Sequence, residues 1–354
     1  MRIHWFAAVC LTLPAGLSAQ AATETNPGEE QPAAKVSAEE AAAVVNALAT
    51  GLEQNFVFPE VGAAYSAMLR RRLGAGAYNN LSSKEAFAEA VTADLQALHK
   101  EGHLRLFAPK IPGAKPKYRT MPSSDGAIGR SGWLADGVAY IELTMFPGDP
   151  ATLEKLEAFL KTHSAAASLI IDLRGHHGGD VKEAELIGSY LFSKEAVVAH
   201  MDTRAAVDAA GRGAFEDGPT MRRISGPHDV VRRAHVVSPG PATPLREAKV
   251  FVLTSKKTVS AAEGFAMGLK RTGRATLIGE TTRGAGNFGD QYPLPKGYSA
   301  FIPVGRSFDP DTGKGWEGTG VKPHVEVPAA ASLDEALKLA GASVTGEVAL
   351  AKLK

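Results

Sequence analysis

GVAYIELTMFPGDPATLEKLEAFLKTHSAAASLIIDLRG, Gly137–Gly175, holds an alternating stretch, an amphipathic stretch and an apolar stretch in that order. The first alternates as a half-buried strand does, and Pro150–His163 places apolar residues at helical spacing. SLIIDLRG, Ser168–Gly175, reads as a buried strand. Strand, helix and strand in succession predict a β-α-β unit, and therefore a sheet that is at least partly parallel. The pattern continues through EAELIGSYLF (helix), KVFVLT (strand), SAAEGFAMGLKR (helix) and ATLIGE (strand). An α/β core over residues 132–330 follows.

Upstream, SAEEAAAVVNALATGLEQNFVF begins at Ser37 with a capping box, Ser37 to Glu40. EVGAAYSAMLRRRLGAGAY and SSKEAFAEAVTADLQALHK repeat the helical spacing, with Ser82 placed to cap the latter. Together with GHLRLF they predict a small three-helix module over 37–107. A Pro/Gly/Lys-rich connector spans 108–131, and a C-terminal helix and tail span 331–354. Within the core, residues 202–245 form a weakly periodic insertion that carries Arg222, Arg223, Arg232 and Arg233. Its plain reading is a solvated loop.

The first 21 residues have Arg2, an apolar run from Phe6 to Leu17 and the small-x-small site Ala19-Gln20-Ala21. That is the pattern of a secretory signal peptide cleaved near Ala21, with a polar linker over 22–36. Export places the mature chain in the periplasm or outside the cell, without stable membrane insertion. Cys10, the one cysteine, lies inside this segment, so disulfides and cysteine catalysis are not expected. Lys and Arg total 39 against 38 Asp and Glu, which provides no overall field for nucleic acid. The sequence says nothing of oligomeric state.

In open parallel sheets, ligands gather beyond the carboxyl ends of the strands. Two such loops here carry chemistry. IIDLRGHHGGD, Ile170–Asp180, leaves backbone N–H groups uncovered at Gly178 and Gly179 before a helix, where a developing anion could bind; a plain glycine turn is the alternative. LTSKKTVSAAEGFAM, Leu253–Met267, puts Ser260 at a helix start with Glu263 three residues on. Ser260 is thus either a cap or a nucleophile, with the N–H of Ala261 facing the same anion. His176, His177 and Asp180 are poorly spaced for a metal, and His99 and His103 lack the glutamate of a zinc helix. GETTRGAGN, Gly279–Asn287, lacks the Gly-Lys-Ser/Thr ending of a nucleotide loop. No cofactor or metal is expected.

LIIDLRGHHGGD, FVLTSKKTVSAAEGFAMGLKRTGRATLIGETTRGAGN and YPLPKGYSAFIPVGRSFDPDTGKGWEGTGVKPHVEVP together resemble the core of the tail-specific (C-terminal processing) serine proteases. The resemblance covers Gly132–Pro328, and the helical lead is similar to that of the retinoid-binding-protein-like branch. It implies a crotonase/ClpP-like core with Ser260 as nucleophile. One branch of the family uses a lysine in the loop after G-E-x-T. Here TTRGAGN has none, and Arg283 does not give up its proton near neutrality. The tricorn-like branch implies His103 as base and Glu317 as its orienting acid, with Ala261, Gly178 and Gly179 as oxyanion donors. Gly102 departs from that branch, which has a serine beside the histidine, and His176 stands where relatives have asparagine. No PDZ domain fits between module and core. The implied partner is a peptide or protein substrate. An apolar-ligand binder on the same scaffold and a small-molecule esterase or amidase are the alternatives.

Overall fold

The computed structural model of the chain describes residues 35–109 and 126–353. The expected leader, the linker except residues 35 and 36, and residues 110–125 of the connector lie outside the described residues.

The quoted unit folds as its pattern predicts. Strand β3 (Val138–Leu143), helix α4 (Pro150–Thr162) and strand β4 (Ser168–Asp172) are consecutive, with β3 and β4 parallel. Both belong to a six-stranded sheet of order β12-β9-β8-β4-β3-β2, in which β8 is Lys249–Thr254, β9 Thr276–Gly279 and β12 Val325–Glu326. Only the edge strand β2 (Ile128–Ala135) runs antiparallel. It starts four residues before the expected core boundary.

Two-residue periodicity fixes which side chain enters which core. Ala139, Ile141, Leu169, Ile171, Val250 and Val252 pack against α4, α5 (Lys182–Leu191) and α7 (Ala261–Arg271). Tyr140, Ile170, Phe251 and Leu253 face the other way, towards α8 (Ser332–Ala340) and α9 (Gly346–Leu350). Because β3, β4, β8 and β9 are parallel, the loops that follow them leave one edge of the sheet.

The expected solvated insertion proves to be structured. β5 (Ala196–Arg204), β6 (Met221–Ile224) and β7 (Val230–Val237) build a second sheet with β1 (Arg105–Phe107), β10 (Asn287–Pro293) and β11 (Ser299–Phe308), and the short helix α6 (Ala205–Ala209) follows β5. Its arginines pair across strands: Arg222 with Glu195, Arg223 with Asp217, Arg232 with Asp202 and Arg233 with Asp217. Apart from Arg223 and Asp217, six residues apart, these partners are 16 to 30 residues away, so a local reading sees mostly loose charge.

The N-terminal helices are α1 (Ala38–Asn55), α2 (Pro59–Gly74) and α3 (Lys84–Leu98). Ser37 Oγ accepts the Glu40 N–H, as its pattern suggests, whereas α3 is capped by Ser83 and not by Ser82. The module is fused to the second sheet. β1 pairs antiparallel with the first half of β11, and Tyr298, Ala300 and Ile302 enter the same core as Val44, Leu48 and Phe87. Among the described residues no helix is long and apolar enough to cross a membrane.

Fusion of the cores predicts joint unfolding. Ile302→Ala removes a fully buried side chain from that shared core and is expected to cost about 3 kcal/mol. Urea denaturation followed by far- and near-UV dichroism should show one coincident transition shifted to lower denaturant. A separate early transition of the helical signal would contradict the shared core.

Candidate active site

Adjacent parallel strands β4 and β8 deliver their following loops to the same place. A Cβ built on Gly178 would lie 2.7 Å from Ser260 Cβ and 3.3 Å from its Oγ. Only glycine fits there, and its φ of +88° is also one that other residues rarely adopt. Ser260 begins α7 with φ +61° and ψ −124°, a conformation that costs a non-glycine residue about 1–3 kcal/mol. Its N–H donates to the Glu263 carboxylate at 2.9 Å, and Glu263 N–H donates to the Ser260 carbonyl at 2.8 Å. Ser260 and Glu263 thus close a capping box at the start of α7, in which the Ser260 hydroxyl also faces the Glu263 N–H.

Glu263 is fully buried and reaches further. It also accepts from Thr282 Oγ1 (2.5 Å), Gly284 N–H (2.6 Å) and Ala285 N–H (2.8 Å). Two other carboxylates hold the remainder of this Thr282–Asn287 loop. Glu317 accepts from Gly286 N–H (2.6 Å) and Asn287 N–H (2.9 Å), and Glu101 accepts from Asn287 Nδ2 (2.6 Å). The loop that carries lysine in the other branch is here a strap gripped by three acids. Burial pushes the Glu263 carboxyl upward in pKa, and its Thr282, Ala285, Gly284 and Ser260 donors pull it back.

His103 lies on the turn between α3 and β1. Gln96 fixes that turn by donating to the carbonyls of Glu101 and Leu104, both at 2.8 Å. The ring stacks on Phe301, with centroids 5.1 Å apart and planes at 27°. Burial, with Arg283 and Arg105 nearby, lowers its pKa to about 4, so the resting imidazole is neutral at pH 7 and able to accept a proton. His103 and Ser260 line the same open cleft of about 620 Å³.

The expected bond from Glu317 to this ring is not the one the carboxylate makes. Besides the two loop amides, Glu317 accepts the Gly102 N–H at 2.7 Å, so both oxygens are engaged by backbone. Gly102 has no side chain to relay to the imidazole, and a Cβ there would lie 2.7 Å from Ala285 Cβ. The carboxylate facing His103 Nδ1 is Glu101, with Oε1 4.0 Å away. Sequence reasoning missed it; its only mark is a position two residues before the histidine.

Of the expected oxyanion donors, Gly178 gives its N–H to His176 Nδ1 at 3.0 Å. His176 is fully buried, and burial with His177 beside it lowers its pKa to about 3, so its neutral ring accepts the bond that holds this turn. Among the described residues the N–H groups of Gly179 and Ala261 donate to no protein acceptor. Both residues border an apolar pocket of about 100 Å³ that opens at Ser260 and is walled by Ala184, Val198, Phe265 and Trp316. Phe215 and Met221 of the insertion line the pocket or the cleft, whereas its arginines line neither. No cluster able to hold a metal occurs among the described residues.

Residues 137–327 match Peptidase family S41, and residues 36–126 match the N-terminal domain of Peptidase_S41 in eukaryotic IRBP. The chain belongs to peptidase family S41. Its fold is that of solved proteases of this kind. A candidate peptidase from Parabacteroides merdae superposes with TM-score 0.56 at 16% identity, over 88% of this chain and 96% of that one. The photosystem II D1 C-terminal processing protease gives 0.52 at 12% identity, over 84% and 97%. The tricorn protease gives 0.51 at 15% identity, over 89% of this chain and 36% of that one.

Glu263→Gln tests the strap. It sets an amide donor against donors in a buried site, so stability should fall by about 2 kcal/mol or more. Release of the Ser260 turn should slow the reaction of Ser260 with a fluorophosphonate by at least about tenfold. Stability and labelling both equal to those of the parent chain would contradict the assigned role.

Proposed function

We propose that this chain is a serine peptidase in which Ser260 attacks the substrate carbonyl and His103 is the general base. The observation that carries this reading is that Ser260 stands where an apolar pocket meets an open cleft, with a neutral imidazole on the cleft wall. His103 takes the hydroxyl proton as Oγ bonds to the carbonyl carbon. The resulting oxyanion is held by Gly179 and Ala261 N–H groups, each such donor contributing about 3 kcal/mol. The imidazolium then protonates the leaving amine, and water repeats the sequence on the acyl-enzyme. Glu317 supports the strap and the Gly102 turn in this scheme, and the three-member Ser-His-Glu relay is not needed in its expected form.

The pocket dimensions weigh against the binder alternative. The apolar pocket of about 100 Å³ suits one apolar side chain of a peptide and is smaller than the roughly 300–1,000 Å³ of whole-ligand sites. The larger cleft beside it is lined by His103, Asp180, Lys182 and Glu185 and so does not suit an apolar ligand. An extended cleft beside the nucleophile likewise favours a peptide over a compact ester.

A fluorophosphonate probe on the purified protein, with Ser260→Ala and His103→Ala beside it, tests the reading. Labelling should be lost in Ser260→Ala and fall at least about 100-fold in His103→Ala. Peptides with a medium-sized apolar residue before the scissile bond should be cleaved in preference to those with a charged one. Labelling that survives Ser260→Ala would remove the assignment.

A further inference from the structure

A base that becomes charged inside a protein needs a partner for that charge. Here the expected acid is committed to three amides, and the neighbouring position has no side chain. His103 Nδ1 is buried without a hydrogen-bond partner. The nearest acid is Glu101, 3% exposed, whose Oε1 accepts the His103 backbone N–H at 2.9 Å and whose Oε2 is held by Asn287.

We propose that Glu101, and not Glu317, is the positioning residue for His103: its Oε1 faces Nδ1 across 4.0 Å and closes to a hydrogen bond as the ring takes the Ser260 proton. This rests on the reading of Ser260 and His103 given above. The Nδ1–H tautomer leaves the Nε2 lone pair to act as base, and the positive charge formed there is shared with Glu101. A side-chain hydrogen bond from Asn287 and a backbone bond from the same turn as the ring hold the carboxylate. Its geometry is thus set before the reaction begins.

The charges around Glu101 determine the pH dependence. His103 faces it on the same turn, Glu317 lies beside it across the Gly102 amide, and Tyr65 of α2 is close enough to feel both acids. Arg105 and Arg283 act on the imidazole side. Among the described residues no lysine or arginine forms an ion pair with Glu101. Burial, with Glu317 adding like charge, pushes its pKa up to about 7. On acidification the first proton therefore enters Glu101 near neutrality, well above the range of the His103 ring. Activity is present above that limb and falls through it as pH drops.

The test measures peptide turnover and fluorophosphonate labelling from pH 4 to 9 in the full chain and in Glu101→Gln, Glu101→Asp and Glu317→Gln. Glu101→Gln should lower kcat by about 100-fold or more with KM changed less than about threefold. Its limb near neutrality should disappear, leaving a low rate that is flat towards pH 4. Glu101→Asp should recover at least about a tenth of the parent rate, and Glu317→Gln should keep the limb but move it to lower pH, because the like charge beside Glu101 is gone. A folded Glu101→Gln with an unchanged limb and kcat within about threefold of the parent would overturn the proposal. If Glu101→Gln does not fold, Asn287→Ala carries the test. Loss of the donor that steadies the carboxylate should move the limb to higher pH, and an unmoved limb would overturn the proposal. Failure of the underlying reading is distinguishable, because Ser260→Ala or His103→Ala would then stay active.

Discussion

The grip of three buried or half-buried carboxylates on Thr282–Asn287 is the constraint on which the site depends. Glu263 comes from the helix that follows Ser260, Glu317 from the segment after β11, and Glu101 from the turn after α3. These three positions are far apart in sequence, yet each finds its donors within six residues. The strap registers the serine turn against the histidine turn, mostly through backbone N–H groups whose direction is fixed by the chain, with Thr282 Oγ1 and Asn287 Nδ2 beside them. Loss of any one acid would leave several buried donors unmatched, which is costly wherever water is excluded. Close approach of neighbouring segments of the chain favours glycine at 284 and 286. A Cβ at 284 would meet the backbone of Thr319 and Gly320, and one at 286 would meet Glu317 N and the Trp316 ring.

The same arrangement accounts for the charge state of the site. Burial and the nearby Arg283 and Arg105 keep His103 neutral at rest, as the proposed base must be. Glu101 is buried too, and its neighbour Glu317 opposes a second negative charge, which raises its proton affinity. Base and acid are therefore displaced in opposite directions from their ordinary values, the usual sign of groups arranged for proton transfer. The strained backbone of Ser260 belongs to the same design. Its cost is offset by the Glu263 bond to its N–H, and its effect is to hold the hydroxyl at the mouth of the apolar pocket.

Much of the fold is legible in the chain because the signals are local. Alternation in β3, β4 and β8 and helical spacing in α4, α5 and α7 arise from residues within a few positions of each other. The meeting of the Gly178–Gly179 and Ser260 loops follows from parallel strands alone. What escapes is non-local. The arginines of the insertion look like solvated charge until Glu195, Asp202 and Asp217 are placed opposite them. Glu317 was expected to serve His103, and the missing side chain at Gly102 diverts it to amides. Gly178 was expected to face an oxyanion, and the imidazole of His176 takes its N–H instead. Glu101 has no sequence signature beyond its proximity to the histidine, because its burial is created by elements more than 180 residues away, Asn287 among them.

A crystal structure of the chain with a peptidyl boronate bound measures the central claim most directly, since the tetrahedral adduct imitates the reacting carbonyl. The account predicts boron bonded to Ser260 Oγ, one boronate oxygen at about 2.7–3.1 Å from the N–H groups of Gly179 and Ala261, and the apolar side chain in the pocket beside Trp316. His103 Nε2 should lie within about 3.2 Å of the adduct, with Nδ1 drawn to Glu101. An adduct on another residue, or an imidazole that stays out of reach of both Ser260 and Glu101, would contradict it.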